Sequence, residues 1–246
     1  MAALRSISGR LVTRLTPRSL RFRFSDAQIL QRLAGRVAVD PDNASPAEQE
    51  RSQARWRQAH PQLDLTWGEA LSGRPFVAKV LEHAQVTEHT RLLEIGPGYG
   101  RLLTAILEQN VPFSSYTGLD LSEFNVSHLS DRFADPRIRF LQGNVDSAPI
   151  PEFDVGYSSL TFKHFYPTFQ AALVNCASSM SEHGRMVFDL IEGKRAYFEH
   201  DDTTYVHCYQ RPEIEKIVAE AGLRVLAFDE VVHGPGQARL LVVAGR

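Results

Sequence analysis

The sequence is short of most features that mark a specialised protein class. Its 246 residues include only two cysteines, Cys176 and Cys208, with no CxxC or ligand-like spacing. That leaves out a cysteine metal centre and fits a reducing compartment. Cys176 sits among the apolar residues of a predicted helix and reads as a small core residue. An excess of one charge is also missing: 27 basic residues face 29 acidic ones, a net of −2, so no global field draws the chain to nucleic acid. No apolar run is long enough to cross a bilayer or to act as a secretory signal core, and there is no repeat or low-complexity tract. The remaining composition, 43% apolar and 23% charged, is that of a soluble globular protein. The length suits one α/β domain with an appendage.

Acid is absent from the first stretch. Arg5, Arg10, Arg14, Arg18, Arg21 and Arg23 all precede the first acidic residue, Asp26, and Leu4, Ile7, Leu11 and Leu15 recur between them at helical spacing. Three readings stay open: a mitochondrial transit segment, a basic amphipathic helix resting on anionic lipid (a peripheral membrane contact), or a solvated arm. The expected location is cytoplasmic. The chain divides into a basic amphipathic leader (1–40), an N-terminal helical cap or linker (41–90) and a ligand-binding domain (91–246).

What organises the chain is Leu92-Leu93-Glu94-Ile95-Gly96-Pro97-Gly98-Tyr99-Gly100-Arg101-Leu102-Leu103. An apolar strand ends in an acid, three glycines follow at alternate positions, and a helical apolar pattern begins. Such a turn brings bare backbone close to a ligand, because glycine has no Cβ and tolerates positive φ. Further short strands are expected at 116–119, ending in Asp120, at 137–141, at 153–157 and at 185–191. Helices are expected from Pro75 (with Phe76, Val77, Val80 and Leu81 making one apolar face), from Leu102, from Ser122 (an N-cap, with Phe124 and Leu129 facing inwards), over 167–180 and over 211–222. Two last strands, 224–232 and 239–244, are joined by a turn short enough for a hairpin. This alternation predicts an α/β fold, a doubly wound, Rossmann-like, mostly parallel seven-stranded sheet with one antiparallel strand, plus the N-terminal helical cap. Ligands in such sheets sit outside the carboxyl ends of the strands.

A dinucleotide fold would ask for G-x-G-x-x-G, whereas the glycines here run G-x-G-x-G. The motifs LLEIGPGYGRLL, YTGLDLS, FLQGNVDS and FDVGYSSLTFKHF instead resemble, in order, the first four motifs of the class I S-adenosylmethionine-dependent methyltransferases, a resemblance covering roughly residues 75–246. It implies S-adenosyl-L-methionine as cofactor. Gly96, Gly98 and Gly100 would approach its methionine part, with Glu94 near the amino group. Asp120 would accept from both ribose hydroxyls with Leu121 beside it, Asn144 and Val145 would lie against adenine, and Ser158 would stand near the cofactor. The third motif usually offers an aspartate where this chain has Asn144, whose carbonyl oxygen still accepts the adenine amino hydrogen.

Methyl transfer from a sulfonium needs alignment more than acid–base groups, but a hydroxyl acceptor needs a base as it attacks. Base candidates are His164, Asp189, His207 and His233. His164, just after the fourth strand, leads, with a structural role at the helix entrance as the competing reading. Trp67, Tyr205, His207 and Tyr209 are the candidate acceptor-lining residues. Trp67, like Trp56, reads equally as an anchor of the N-terminal segment, and TTYVHCYQRP as a half-buried edge strand. Asp189 and Glu192 show no paired spacing, so no metal is expected. The resulting expectation is in-line methyl transfer to a small-molecule acceptor, a hydroxyl of a sugar or natural-product intermediate, with no nucleic-acid partner. The alternatives are N-methylation of a small amine, an aminopropyltransferase-type use of the fold, and a non-catalytic cofactor-binding scaffold.

Overall fold

The computed structural model describes residues 36–58, 71–199, 201–234 and 236–246. Residues 1–35 of the basic leader, and Trp67, lie outside the described residues. In chain order the elements are β1 (Val37–Val39), α1 (Pro46–Arg57), α2 (Arg74–His83), β2 (Arg91–Ile95), α3 (Arg101–Glu108), β3 (Ser115–Asp120), α4 (Glu123–Arg132), β4 (Ile138–Gln142), β5 (Phe153–Ser158), α5 (Gln170–Ser179), β6 (Met180–Glu192), β7 (Ala196–Phe198), β8 (Tyr205–Tyr209), α6 (Arg211–Glu220), β9 (Arg224–Val232) and β10 (Ala238–Gly245).

The central sheet runs β4-β3-β2-β5-β6-β10-β9. The pairs among β2 to β6 are parallel, and β10 is antiparallel to both β6 and β9. This is the expected mostly parallel sheet with one reversed strand. Alternate residues of each strand explain why helices cover both faces. Leu92, Val155, Tyr157, Val187, Leu241 and Val243 pack with Phe76, Val77 and Val80 of α2 and Leu102, Leu103 and Ile106 of α3. Their neighbours Leu93, Phe153, Met186, Phe188, Leu240 and Val242 pack against α5 and α6 on the other face.

Order along β6 differs from expectation. It starts at Met180, which pairs with Phe153, so the preceding helix stops at Ser179, and it runs on to Glu192, where it pairs in parallel with β8. Strands β7 and β1 extend that ribbon. Both three-residue strands are too short to leave a period in the sequence. Two inward assignments are corrected. Phe124 is exposed and stacks beside His128, while Leu129 is buried as expected, with Asn125 beside it. Leu81 also points outward, one residue past the apolar stripe of α2. Among the described residues no helix is long and apolar enough to cross a membrane.

Candidate active site

The cavity opens at the carboxyl ends of β2, β3, β4 and β5, where the order of strands reverses on either side of β2. Its volume is about 250 Å³, and its lining includes Glu94, Gly96, Gly98, Asp120, Leu121, Asn144, Val145 and His164. Neighbouring strands of a parallel sheet all deliver their last residues to one edge, which is why residues 94 to 164 meet there.

Gly96, Gly98 and Gly100 all have positive φ, +68°, +55° and +76°, a conformation that costs any residue with a side chain. Their roles differ. A methyl at Gly96 would stand 2.6 Å from Thr161 Cγ2, and one at Gly100 would collide with Phe133 and Leu129. A methyl at Gly98 would meet nothing within 4 Å. Gly98 lines the cavity, so its bare face is the side of the turn left for a ligand. Gly100 does not line the cavity; it permits close packing where α3 begins.

Asp120 ends β3 and is 8% exposed. Its Oδ2 accepts the Gly98 N–H at 3.0 Å, and its Oδ1 accepts the Ser122 N–H at 2.9 Å and the Asn125 amide at 3.4 Å. Burial raises this carboxyl and those donors pull it back. With two lone pairs per oxygen, Oδ2 has room for a donor besides Gly98, and Asp120 is part of the cavity lining. Ser122, not Asp120, caps α4 by accepting the Asn125 N–H at 3.2 Å. Glu94 is 2% exposed and accepts the Tyr116 hydroxyl at 2.7 Å. Burial pushes it up to about 7, Tyr116 and Arg101 oppose that shift, and Asp120 adds to it. Asn144 Oδ1 accepts the Asp146 N–H at 3.1 Å, so the side chain first closes its own turn and keeps one lone pair for a ligand.

The other wall comes from the cap. Ser52, Gln53, Arg55 and Trp56 of α1 line the cavity, and α1 is fastened there by polar contacts. Tyr166 donates to Glu48 at 2.6 Å while accepting the Ser45 N–H at 2.9 Å, and Arg51 pairs with Asp202 at 2.8 Å. His164 is 8% exposed, and its ring centroid lies 4.7 Å from that of Trp56. His164 Nδ1 is 2.6 Å from the Tyr205 carbonyl. A carbonyl only accepts, so Nδ1 carries the proton and Nε2 presents a bare lone pair. That Nε2 is buried without a hydrogen-bond partner among the described residues, as is Trp56 Nε1. Burial first, then the adjacent Lys163, hold the His164 pKa well below that of an ordinary imidazole.

Several expected residues lie outside the cavity lining. Ser158 is buried and donates to the Ile95 carbonyl at 2.9 Å. The cavity is lined instead by Ser159, Leu160 and Thr161. Tyr205, His207 and Tyr209 do not line it; Thr204, just before them, does. Strand β8 is covered on both sides. Tyr205 donates to the Pro167 carbonyl at 2.8 Å, His207 Nε2 meets Glu213 at 3.2 Å, and Tyr209 belongs to the main core. Asp189 and His233 are buried against each other at 2.6 Å, also outside the lining. Glu192 pairs with Arg211 at 3.0 Å. Among the described residues the one grouping with ligand spacing is Glu82, His83 and Asp229, remote in the fold and occupied by the ammonium of Lys79, 2.6 Å from Asp229. Arg101 and Ser159 line the cavity without having been expected to; the position of Arg101, one residue past the last glycine, was the available signal. Trp56, for which a wall and an anchor were both open, lines it too.

Residues 93–186 match the family model of a methyltransferase domain. A fatty-acid O-methyltransferase of Mycolicibacterium smegmatis is 29% identical over 153 residues, covering 60% of this chain and 50% of that protein. The chain thus spans about half the length of that curated relative. Among solved structures, the 1,6-didemethyltoxoflavin-N1-methyltransferase of Burkholderia thailandensis, with bound 1,6-didemethyltoxoflavin and S-adenosylhomocysteine, superposes with a TM-score of 0.70 at 21% identity. That match covers 85% of this chain and 93% of that one. The amino pentose methyltransferase of Micromonospora echinaspora, bound to S-adenosylmethionine, gives 0.56 at 18% identity, covering 73% and 94%. At these identities the two structures speak for the fold.

Proposed function

We propose that this chain, whose residues 93–186 match a methyltransferase domain, is a class I S-adenosylmethionine-dependent methyltransferase that methylates a hydroxyl group of a small molecule. The observation that carries the reading is the buried, unpartnered and unprotonated Nε2 of His164, a residue of the cavity lining. The donor set suits the cofactor. Gly98 leaves bare space, Asp120 keeps an open lone pair beside it, and Glu94 is a carboxylate for a cationic amine. Asn144 and Val145 would hold the base. S-adenosylmethionine, when bound, supplies an electrophilic methyl group on a sulfonium sulfur.

This chain's residues then have two tasks. His164 Nε2 accepts the proton of the attacking hydroxyl, its ring fixed by the Tyr205 carbonyl and kept neutral by burial. Trp56, which lines the cavity and whose Nε1–H is likewise buried without a partner among the described residues, would donate to the same oxygen and orient it. A hydroxyl oxygen has one lone pair for Trp56 and another for attack. A neutral amine has a single lone pair, which it cannot share between both. A carboxylate has no proton to give and would face the bare lone pair of Nε2. Helix α1 forms one side of this compartment and limits access of water.

The test is to supply methyl-labelled cofactor with hydroxylated small molecules and, separately, with fatty acids. The expected label is stable to mild base, as an ether is. Label released by mild base from a fatty-acid ester, or no transfer to any acceptor, contradicts the reading.

A second outcome concerns pH. The Glu94 carboxyl, pushed up to about 7, is neutral below that pH and ionised above it. A cationic amine prefers the ionised form, so S-adenosylhomocysteine should bind more tightly as pH rises toward 7, by at most about tenfold per unit, and level off above. Titrations of Glu94→Gln should lose this slope. In the ligand-free protein the sign is opposite: a raised carboxyl stabilises the fold at acid pH, and that contribution is lost as pH climbs from the ordinary 4.5 through about 7.

A further inference from the structure

Behind the cavity runs a buried polar chain that the chemistry above does not use. Asp189 of β6 is 1% exposed, and three groups converge on its carboxylate. The Leu160 N–H donates to Oδ1 at 2.7 Å, the Ser159 hydroxyl donates to Oδ2 at 2.9 Å, and His233 Nε2 lies 2.6 Å from Oδ2. His233, in the turn between β9 and β10, stacks on Phe76 of α2 with ring centroids 6.1 Å apart. The Ser159 oxygen also accepts from the Arg101 guanidinium at 2.8 Å. A carboxylate this deep is costly to bury unless every lone pair is used, and here the donors come from both sides.

Neither Asp189 nor His233 reaches the cavity, but the loop they hold does: Ser159, Leu160 and Thr161 all line it. Leu160 has φ +64°, a left-handed conformation that a leucine keeps only when its surroundings impose it, and its N–H is the one fixed by Asp189. Thr161, next in the chain, fills the space that a side chain at Gly96 would need. The loop therefore braces the glycine turn, and Arg101 is tied to it through Ser159.

We propose that Asp189 and His233 are a positioning pair: by fixing Ser159 and Leu160 they set the wall of the cofactor site, so that cofactor affinity depends on a histidine in the distant β9–β10 turn. The inference rests on the cofactor reading above. His233→Phe keeps the ring on Phe76 and removes the donor to Asp189. Titration with S-adenosylhomocysteine should show it binding about tenfold more weakly than wild type, the size expected for losing one hydrogen bond to a charged group. His233→Gln, whose amide restores a donor, should recover part of that loss. Asp189→Asn should weaken binding at least as much as His233→Phe. Circular dichroism and melting temperature establish that each variant is folded at the titration temperature. If Asp189→Asn does not fold, the two His233 variants decide. Folded His233→Phe with wild-type affinity, or an equal loss in His233→Gln and His233→Phe, overturns the pair's role. Failure of the wild-type protein to bind at all would instead overturn the cofactor reading.

Discussion

Asp120→Ala should bind S-adenosylhomocysteine about a hundredfold more weakly than wild type, a loss of about 3 kcal/mol, the scale of one or two hydrogen bonds to a charged acceptor. Two effects add. The substitution removes the lone pair left open on Oδ2, where a ribose hydroxyl would donate. It also releases the Gly98 N–H, which Oδ2 holds at 3.0 Å, so the turn that would bring backbone to the methionine part loses its tether. The rival explanation is that Asp120 merely organises the start of α4. Ser122→Ala separates the two, because Ser122 is the cap: it should lower the melting temperature, at a cost of about 1 kcal/mol, and leave affinity near wild type. Calorimetric titration of both variants checks this; unchanged affinity in Asp120→Ala would remove the sugar-binding assignment.

His164→Ala should lower kcat by about a hundredfold, the usual range for losing a general base, while S-adenosylhomocysteine affinity changes by no more than about twofold, within the ordinary scatter of a neutral contact. The split between kcat and affinity is the informative part. If the ring serves only to join Trp56 to the Tyr205 carbonyl, its loss would lower the melting temperature and leave turnover near normal. The pH profile adds a sign. Burial lowers the His164 pKa well below the usual 6.5, so the ring stays an unprotonated base through neutral pH. With cofactor held at saturation, so that the weaker binding expected below pH 7 does not enter, kcat should not fall as pH drops from 8 to about 6.5, and should decline only in more acidic solution. An unburied histidine would start to lose activity near 6.5.

The parts of this protein written in short-range pattern could be read before the fold was known. The three glycines announce a turn because positive φ has few other solutions, and Asp120 follows from the strand that ends on it. Apolar residues at successive positions in Leu92-Leu93 and Met186-Val187-Phe188 require a sheet covered on both faces. What depends on long-range packing could not be read in this way. Ser158 and Ser159 are adjacent and chemically alike, and only the register of β5 against β2 decides that one bonds Ile95 beneath the cavity while the other lines it. The segment TTYVHCYQRP has the polar–aromatic alternation of a half-open strand, yet β8 is closed in by β6, β7 and the Pro167 turn. Asp189 and His233 are 44 residues apart, and no local pattern joins them; Arg101 needed the placement of Ser159 before its guanidinium had a direction.

A crystal structure of the protein with S-adenosylhomocysteine tests the central claim most directly. The account predicts the ribose hydroxyls on Asp120, the adenine beside Asn144 and Val145, and the sulfur end turned toward Trp56 and His164. A ligand seated elsewhere, or protein side chains closing over Gly98 in place of the nucleoside, would contradict it.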